Sequence, residues 1–403
     1  ISDLRSKQLY DRKCHCCGWR ENLLVGKEKK MSVKGKIEFA RENNWKICIY
    51  GLGQIGSGFC NELIDIFGIE VNYYCDRNTD VLETFGVDRN KKVTVNELKM
   101  SEEDTLVFVL LNYQNALSAL KALGGYSHLH IITWQELVMD KYIVKSYFGI
   151  ENKEDTDFPK YKQTERKKNK HKKIAVFTCI TGGYDKLNIP ECIEENCDYY
   201  LITDLPDDQK IENDEYYIRL NISEVVPQSD RYTPKAQNRY CKTHGYKIFE
   251  GYDYSVYLDG NLKIIGKSSE LVKLVGPYGV AFHELPREND VFSHAMEIAV
   301  GKRIGRDDTA IEMKKMLSEG FPFHYGMAEC GVVICENKNK VAQQILNNWF
   351  IKYDQSLAKR DQFYLPYVLW KMGINVDEVC TLPGDLRNNG YFEKQGTHSG
   401  IQK

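Results

Sequence analysis

WKICIYGLGQIGSGFCNELIDIFGIEVNYYCDRN, residues 45–78, reads as a buried strand, a glycine turn, an amphipathic helix and a second strand ending at Asp76. That is a βαβ unit, whose parallel strands are joined by a right-handed crossover. The alternation continues through a strand at TLVFVLL (105–111), a helix over ALSALKAL (116–123) and a strand at HLHIIT (128–133). Strands alternating with helices imply a parallel sheet covered on both faces. Residues 36–150 are therefore expected to form one small, doubly wound α/β domain of some five strands.

Within it, Gly51, Gly53 and Gly56 make GxGxxG between strand and helix, and Asp76 follows Gly56 by 20 residues at the end of the next strand. Glycine lets backbone approach a pyrophosphate, the helix start offers free N–H groups, and the carboxylate accepts ribose hydroxyls. The sharp expectation is a bound dinucleotide such as NAD. The alternative is a structural glycine loop, because about 115 residues fall short of a full dinucleotide fold and no catalytic Lys/Tyr or Cys constellation follows.

The whole chain has 403 residues, 42% of them hydrophobic and 12% aromatic, enough for two to three domains with packed cores. Its 55 Lys+Arg and 57 Asp+Glu give a net charge of -2, without the basic excess that nucleic-acid binding uses, so no nucleic-acid partner is expected. No apolar run approaches membrane-spanning length, and ISDLRSKQ at the start has no signal-like core, which points to a cytoplasmic protein. The first residue is Ile, which suggests a piece of a longer protein. The 13 cysteines are odd in number and sit mostly in strand-like or helix-like runs, as Cys48, Cys60 and Cys335 do, so a reducing compartment is expected. In the N-terminal segment 1–35, CHCCG (14–18) lacks a second ligand pair at zinc-finger spacing and reads as free thiols.

Residues 151–173 read as a linker. KYKQTERKKNKHKK (160–173) holds eight Lys/Arg and one Glu, leaving -9 for the remainder of the chain. Such a stretch suits anionic lipid head groups, giving peripheral contact at the inner membrane face, or equally a solvated hinge that repels itself and extends. A second α/β domain spans 174–403. Its strands are expected at IAVFTCI (174–180), DYYLITD (198–204), DYSVYLDGN (253–261), PYGVAFH (277–283) and CGVVICE (330–336), and its helices at 309–320, 340–354 and 360–373.

DYSVYLDGN places Asp259 and Asn261 just beyond a hydrophobic strand, two residues apart. A carboxylate and an amide oxygen so placed suit a hard cation, Mn²⁺ or Mg²⁺, with open positions for phosphate oxygens. Asp-Gly-Asn also occurs in turns for backbone reasons alone.

Five stretches give the motif context: TCITGGYDKL (178–187) with Pro190, RYTPKAQNRYCKTH (231–244), YSVYLDGNLKI (254–264), FHELPREND (282–290) and KRDQFYLPYVLWKMG (359–373). In this order they resemble the glycosyltransferase-like family of plant mucilage-related proteins and bacterial polysaccharide loci, which is of GT-A type. The first domain resembles the small Rossmann-like accessory domains attached to bacterial sugar-processing enzymes.

The resemblance implies that the loop from Thr178 through Gly182 to Tyr184, with Asp204, holds the donor nucleoside. Arg231, Lys235 and Arg239 would pair with the diphosphate, or with surface carboxylates, and a metal at Asp259 and Asn261 would bridge it as Lewis acid and template. His283 and Arg287 would contact donor sugar or acceptor, although His283 at a strand end is equally a core histidine. Asp361 and Gln362 would face sugar hydroxyls. The tail GTHSGIQK (396–403) is similar to the H-x-x-G-x-x-K ending of glycogenin-like transferases, with His398 as a further metal ligand, but is one residue short; an exposed end is the alternative.

Taken together, the expectation is a metal-dependent glycosyltransferase that moves a sugar from a nucleotide-sugar donor, a uridine-diphosphate sugar, to a glycan or lipid-linked acceptor in surface polysaccharide synthesis. An inverting route would need a base, for which Asp361 and Glu297 are the candidates. The alternatives are an NAD(P)-dependent oxidoreductase using the glycine loop, and a noncatalytic glycan-binding module.

Overall fold

The computed structural model describes residues 31–150, 172–285 and 289–396. The CHCCG cluster, residues 160–171 of the basic stretch, Arg287 and His398 lie outside the described residues. The chain divides into two units, one containing residues 31–150 and 292–317, the other residues 172–291 and 318–396. Both are α/β, as the sequence leads one to expect. Among the described residues no helix is long and apolar enough to cross a membrane.

The first unit holds a four-stranded sheet in the order β2-β1-β3-β4, formed by β1 (Lys46–Tyr50), β2 (Tyr73–Cys75), β3 (Thr105–Val109) and β4 (Leu129–Thr133). All three pairings are parallel. Alternate residues supply the two faces. Cys48, Tyr50, Val107 and Val109 pack with Ala116, Ala119 and Leu123 of the helix Tyr113–Leu123, while Ile47, Ile49, Leu106 and Phe108 are buried on the opposite face. Four strands thus stand where some five were expected, and one further parallel bridge joins Tyr74 to Lys92 between the short capped helices Thr79–Thr84 and Val95–Met100.

Residues 292–317, expected from sequence beside the second sheet, supply two helices to this first unit, Val291–Val300 and Arg306–Ser318. Gly58 explains the close fit: a Cβ there would meet the Val300 carbonyl at 2.6 Å. Arg306 secures the second helix through Glu62, at 3.0 Å, and the Tyr147 carbonyl, also at 3.0 Å.

The second unit is built on a six-stranded sheet ordered β10-β11-β8-β5-β6-β7. Its strands are β5 (Ile174–Ile180), β6 (Cys197–Thr203), β7 (Ile218–Asn221), β8 (Tyr254–Leu258), β10 (Val280–Glu284) and β11 (Ala328–Glu336). β7, β6, β5 and β8 run parallel, whereas β11 is antiparallel to both neighbours. The short β9 (Leu262–Ile264) pairs with β12 (Phe392–Lys394).

One face of the large sheet is an apolar cluster including Val176, Val256, Leu258, Val332 and Ile334. Each such fully buried side chain stabilises the fold by roughly 1.5–3 kcal/mol, which fixes the position of β8. By strand alternation Ser255, Tyr257 and then Asp259 face the other way. That face meets the helix Pro234–Ile248, whose Gly245 lies so close that a Cβ would come within 2.9 Å of Phe177 and Ser255. Thr233 caps this helix through the Ala236 N–H, and Pro234 begins it where no N–H is needed.

Candidate active site at the end of the central strand

Beyond β8 the chain turns at once: the Leu262 N–H donates to the Asp259 carbonyl at 2.9 Å. The turn is pressed against the loop after β5. Asn188 Nδ2 donates to the Gly260 carbonyl at 2.9 Å, and a Cβ on Gly260 would stand 2.9 Å from Asp185. Asn261 is buried in this turn and its carbonyl accepts from the Gln395 N–H at 2.8 Å.

Charged residues converge on Asp259. Lys235, Arg239 and Lys242 follow one another at four and three residues, so the helix Pro234–Ile248 presents them along one side. Lys242 Nζ lies 3.1 Å from Asp259 Oδ1 and 3.2 Å from Asp361 Oδ2. Arg239 Nε stands 3.0 Å from Asp361 Oδ2, an ionic contact set off the N–H direction, so that Nε makes no hydrogen bond. Tyr257 Oη donates to Asp259 Oδ1 at 2.9 Å and has Asn238 Oδ1 3.2 Å away. The side chains of Lys242 and Asp361 are 2% and 6% exposed, that of Asp259 31%, so Asp259 is the open end of a buried network.

Asp361 is held from the other side by Trp349, whose Nε1 donates to its carbonyl at 2.7 Å. Burial would raise its carboxyl pKa, but Arg239, Lys242 and Arg360 outweigh burial and hold it far below the carboxylate range. Reciprocally, burial works against the Arg239 guanidinium, yet Asp361 and Asp259 fix its charge. Asp361 thus sits as the shared ionic partner of Arg239 and Lys242. Gln362 also positions: Nε2 donates to the Ala328 carbonyl at 3.0 Å and Oε1 accepts from Arg360 at 2.8 Å.

At the neighbouring strand ends, Gly182 N–H donates to Asp204 Oδ2 at 2.8 Å, while Asp204 Oδ1 is buried with no partner. Thr178 Oγ1 is likewise buried and unpartnered, and Tyr184 is exposed. Thr181 ties the loop to the helix start by donating to the Pro234 carbonyl at 2.7 Å. Lys235 Nζ donates to the Lys359 carbonyl at 2.7 Å. Arg231 sits exposed in the turn before the helix.

Two other expected residues belong to other elements. His283 is fully buried in β10 beside Phe392, and burial lowers its pKa. Glu297 belongs to the first unit, whereas the cluster belongs to the second. Sequence reading missed Lys242, Tyr257 and Arg360. The helical spacing from Lys235 and Arg239 was the available signal for Lys242.

Of the expected metal ligands only Asp259 and Asn261 fall within the described residues, and these two alone do not fit a divalent ion. Asp259 Oδ1 is already shared by an ammonium and a phenol, and Asp361 is sealed behind two cations. Among the described residues no group of three or more His, Cys, Asp or Glu is gathered for a metal.

In the first unit the glycine loop is formed as the motif predicts, at the point where strand order reverses. Gly51 has φ +94°, and a Cβ on Gly56 would lie 1.9 Å from the Gly51 carbonyl; both are required by the backbone itself. Gly53 has open space around it. Asp76 is engaged by the loop, accepting from the Leu52 N–H at 2.8 Å and the Asn78 N–H at 2.9 Å.

No protein-family model and no curated protein sequence matches the chain. Among solved structures, it is similar to an apo structure of the bifunctional glycosyltransferase WbbM, with 13% identity, 54% of this chain and 40% of that one covered, and a TM-score of 0.31. It is also similar to apo mouse xyloside xylosyltransferase 1, with 10% identity, 50% and 83% covered, and a TM-score of 0.32. The chain thus spans less than half the length of WbbM, and likenesses of this size leave the activity to be read from the site itself.

Proposed function

We propose that the chain is a glycosyltransferase that moves a sugar from a nucleoside-diphosphate donor, a uridine-diphosphate sugar, to a glycan or lipid-linked acceptor in surface polysaccharide synthesis. Residues 36–150 are its accessory domain and 174–403 carry the catalytic site, with 292–317 packed into the accessory unit. The observation that carries the reading is the cationic cluster of Lys235, Arg239, Lys242 and Arg360 around two carboxylates at the open end of β8. Such a surplus of positive charge at the carboxyl ends of parallel strands suits a diphosphate.

Asp204 Oδ1, buried without a partner two strands away, accepts an N–H or O–H of the nucleoside. In the reaction the acceptor hydroxyl oxygen bonds to the anomeric carbon, and the bond from that carbon to the phosphate oxygen breaks. Its electron pair leaves on the nucleoside diphosphate, and the hydroxyl proton passes to solvent. Arg239 and Lys235 stabilise the charge gathering on the departing diphosphate, Asp361 keeps Arg239 aimed, and Asp259 orients Lys242.

The test is a screen of nucleotide sugars for release of nucleoside diphosphate, with and without oligosaccharide acceptors. Release from a uridine-diphosphate sugar that is lost in Arg239→Gln supports the reading. Absence of release from every donor counts against it.

A further inference from the structure

Lys242 occupies an unusual place. Its ammonium bridges Asp259 and Asp361, at 3.1 and 3.2 Å, with the Tyr257 ring centroid 5.1 Å away. Two carboxylates converging from a strand end and a helix start are a setting for a bridging metal ion, and here a side chain fills it. Around this centre Lys235, Arg239 and Arg360 add three more cations. Four positive groups thus gather on these two carboxylates, with a third, Asp185, against the adjoining Gly260 turn, and cations remain in excess for an anionic ligand.

Resting on the glycosyltransferase reading above, we infer that the site works with a built-in cation: Lys242 stands where a divalent ion would bridge Asp259 and Asp361, and Arg239 and Lys235 neutralise the diphosphate, so donor binding needs no metal. The division of labour follows from exposure. Lys242 is sealed and can only organise the carboxylates, whereas Arg239 is partly open and Lys235 exposed, so both have room to reach a ligand. Lys242 is on this account a positioning residue, and Arg239 a ligand-touching one.

The experiment is calorimetric titration of the full chain with uridine diphosphate, in EDTA and again with Mn²⁺. The expected result is the same affinity within about twofold in both, and a loss of about tenfold or more in Arg239→Gln. Lys242→Ala leaves Asp259 and Asp361 facing one another without their cation. It is expected to bind the nucleotide only when Mn²⁺ is added, with the electron paramagnetic resonance signal of the free ion depleted, while Lys242→Arg keeps metal-free binding. If Lys242→Ala does not fold, the wild-type comparison alone decides. Binding by the wild type only with Mn²⁺ would overturn the inference and leave the glycosyltransferase reading standing. No binding in either condition would overturn both.

Discussion

Asp361 and Lys242, 119 positions apart in the chain, meet at 3.2 Å between Oδ2 and Nζ, both shielded from water. Buried ions persist only when paired; without Asp361, Arg239 loses its carboxylate and Lys242 keeps only the half-open Asp259. Asp361→Asn is therefore expected to destabilise the second unit by about 3–5 kcal/mol, read as a lower urea midpoint. A loss below about 1 kcal/mol would show that water reaches these groups.

Asp259 shares the same ammonium but stands half-open at the end of β8. In Asp259→Asn, Lys242 keeps Asp361, so stability should change by about 1 kcal/mol or less while sugar transfer falls by about 100-fold or more. Thermal melting alongside nucleotide release separates the two effects. Equal activity in mutant and wild type would remove Asp259 from the site.

His244 gives the fold a pH dependence. It is buried where the helix Pro234–Ile248 kinks, stacked on Tyr240 at 4.0 Å, and burial lowers its pKa to about 4. The unfolded chain takes up the proton near pH 6.5, the folded chain only near 4, so stability present at neutral pH is lost as pH falls through that window. The loss attributable to this group is up to about 3 kcal/mol. His244→Gln should flatten the curve of unfolding free energy between pH 7 and 4. An unchanged slope would mean that the imidazole is protonated in the fold.

The glycine loop of the first unit separates backbone requirement from open space. Gly56→Ala would drive a Cβ to 1.9 Å from the Gly51 carbonyl, whereas Gly53→Ala meets nothing within 4 Å. The first is expected to cost more than about 3 kcal/mol or to abolish folding of that unit, the second less than about 1 kcal/mol. Comparable melting temperatures for the two variants would contradict this geometry.

Much of the second unit was legible because its strands are short apolar runs between polar turns: IAVFTCI and SVYL are buried where the sequence places them. Asp259 at a strand end was legible for the same reason. Lys242 was not singled out, because its partner Asp361 is remote in sequence and only the helical period relates it to Arg239. Nor did sequence show that 292–317 packs with the first unit, since an apolar helix face does not specify its partner; Gly58 against Val300 does so only in three dimensions. His283 was readable as donor contact or core histidine, and the sequence did not show that it is buried within β10.

The most direct measurement is a crystal structure of the chain with a bound uridine-diphosphate sugar. The glycosyltransferase reading predicts diphosphate oxygens within hydrogen-bond reach of Arg239 beside Asp259, and a nucleoside N–H or O–H on Asp204 Oδ1. A nucleotide seated instead at Gly53 of the first unit, with the end of β8 vacant, would contradict it.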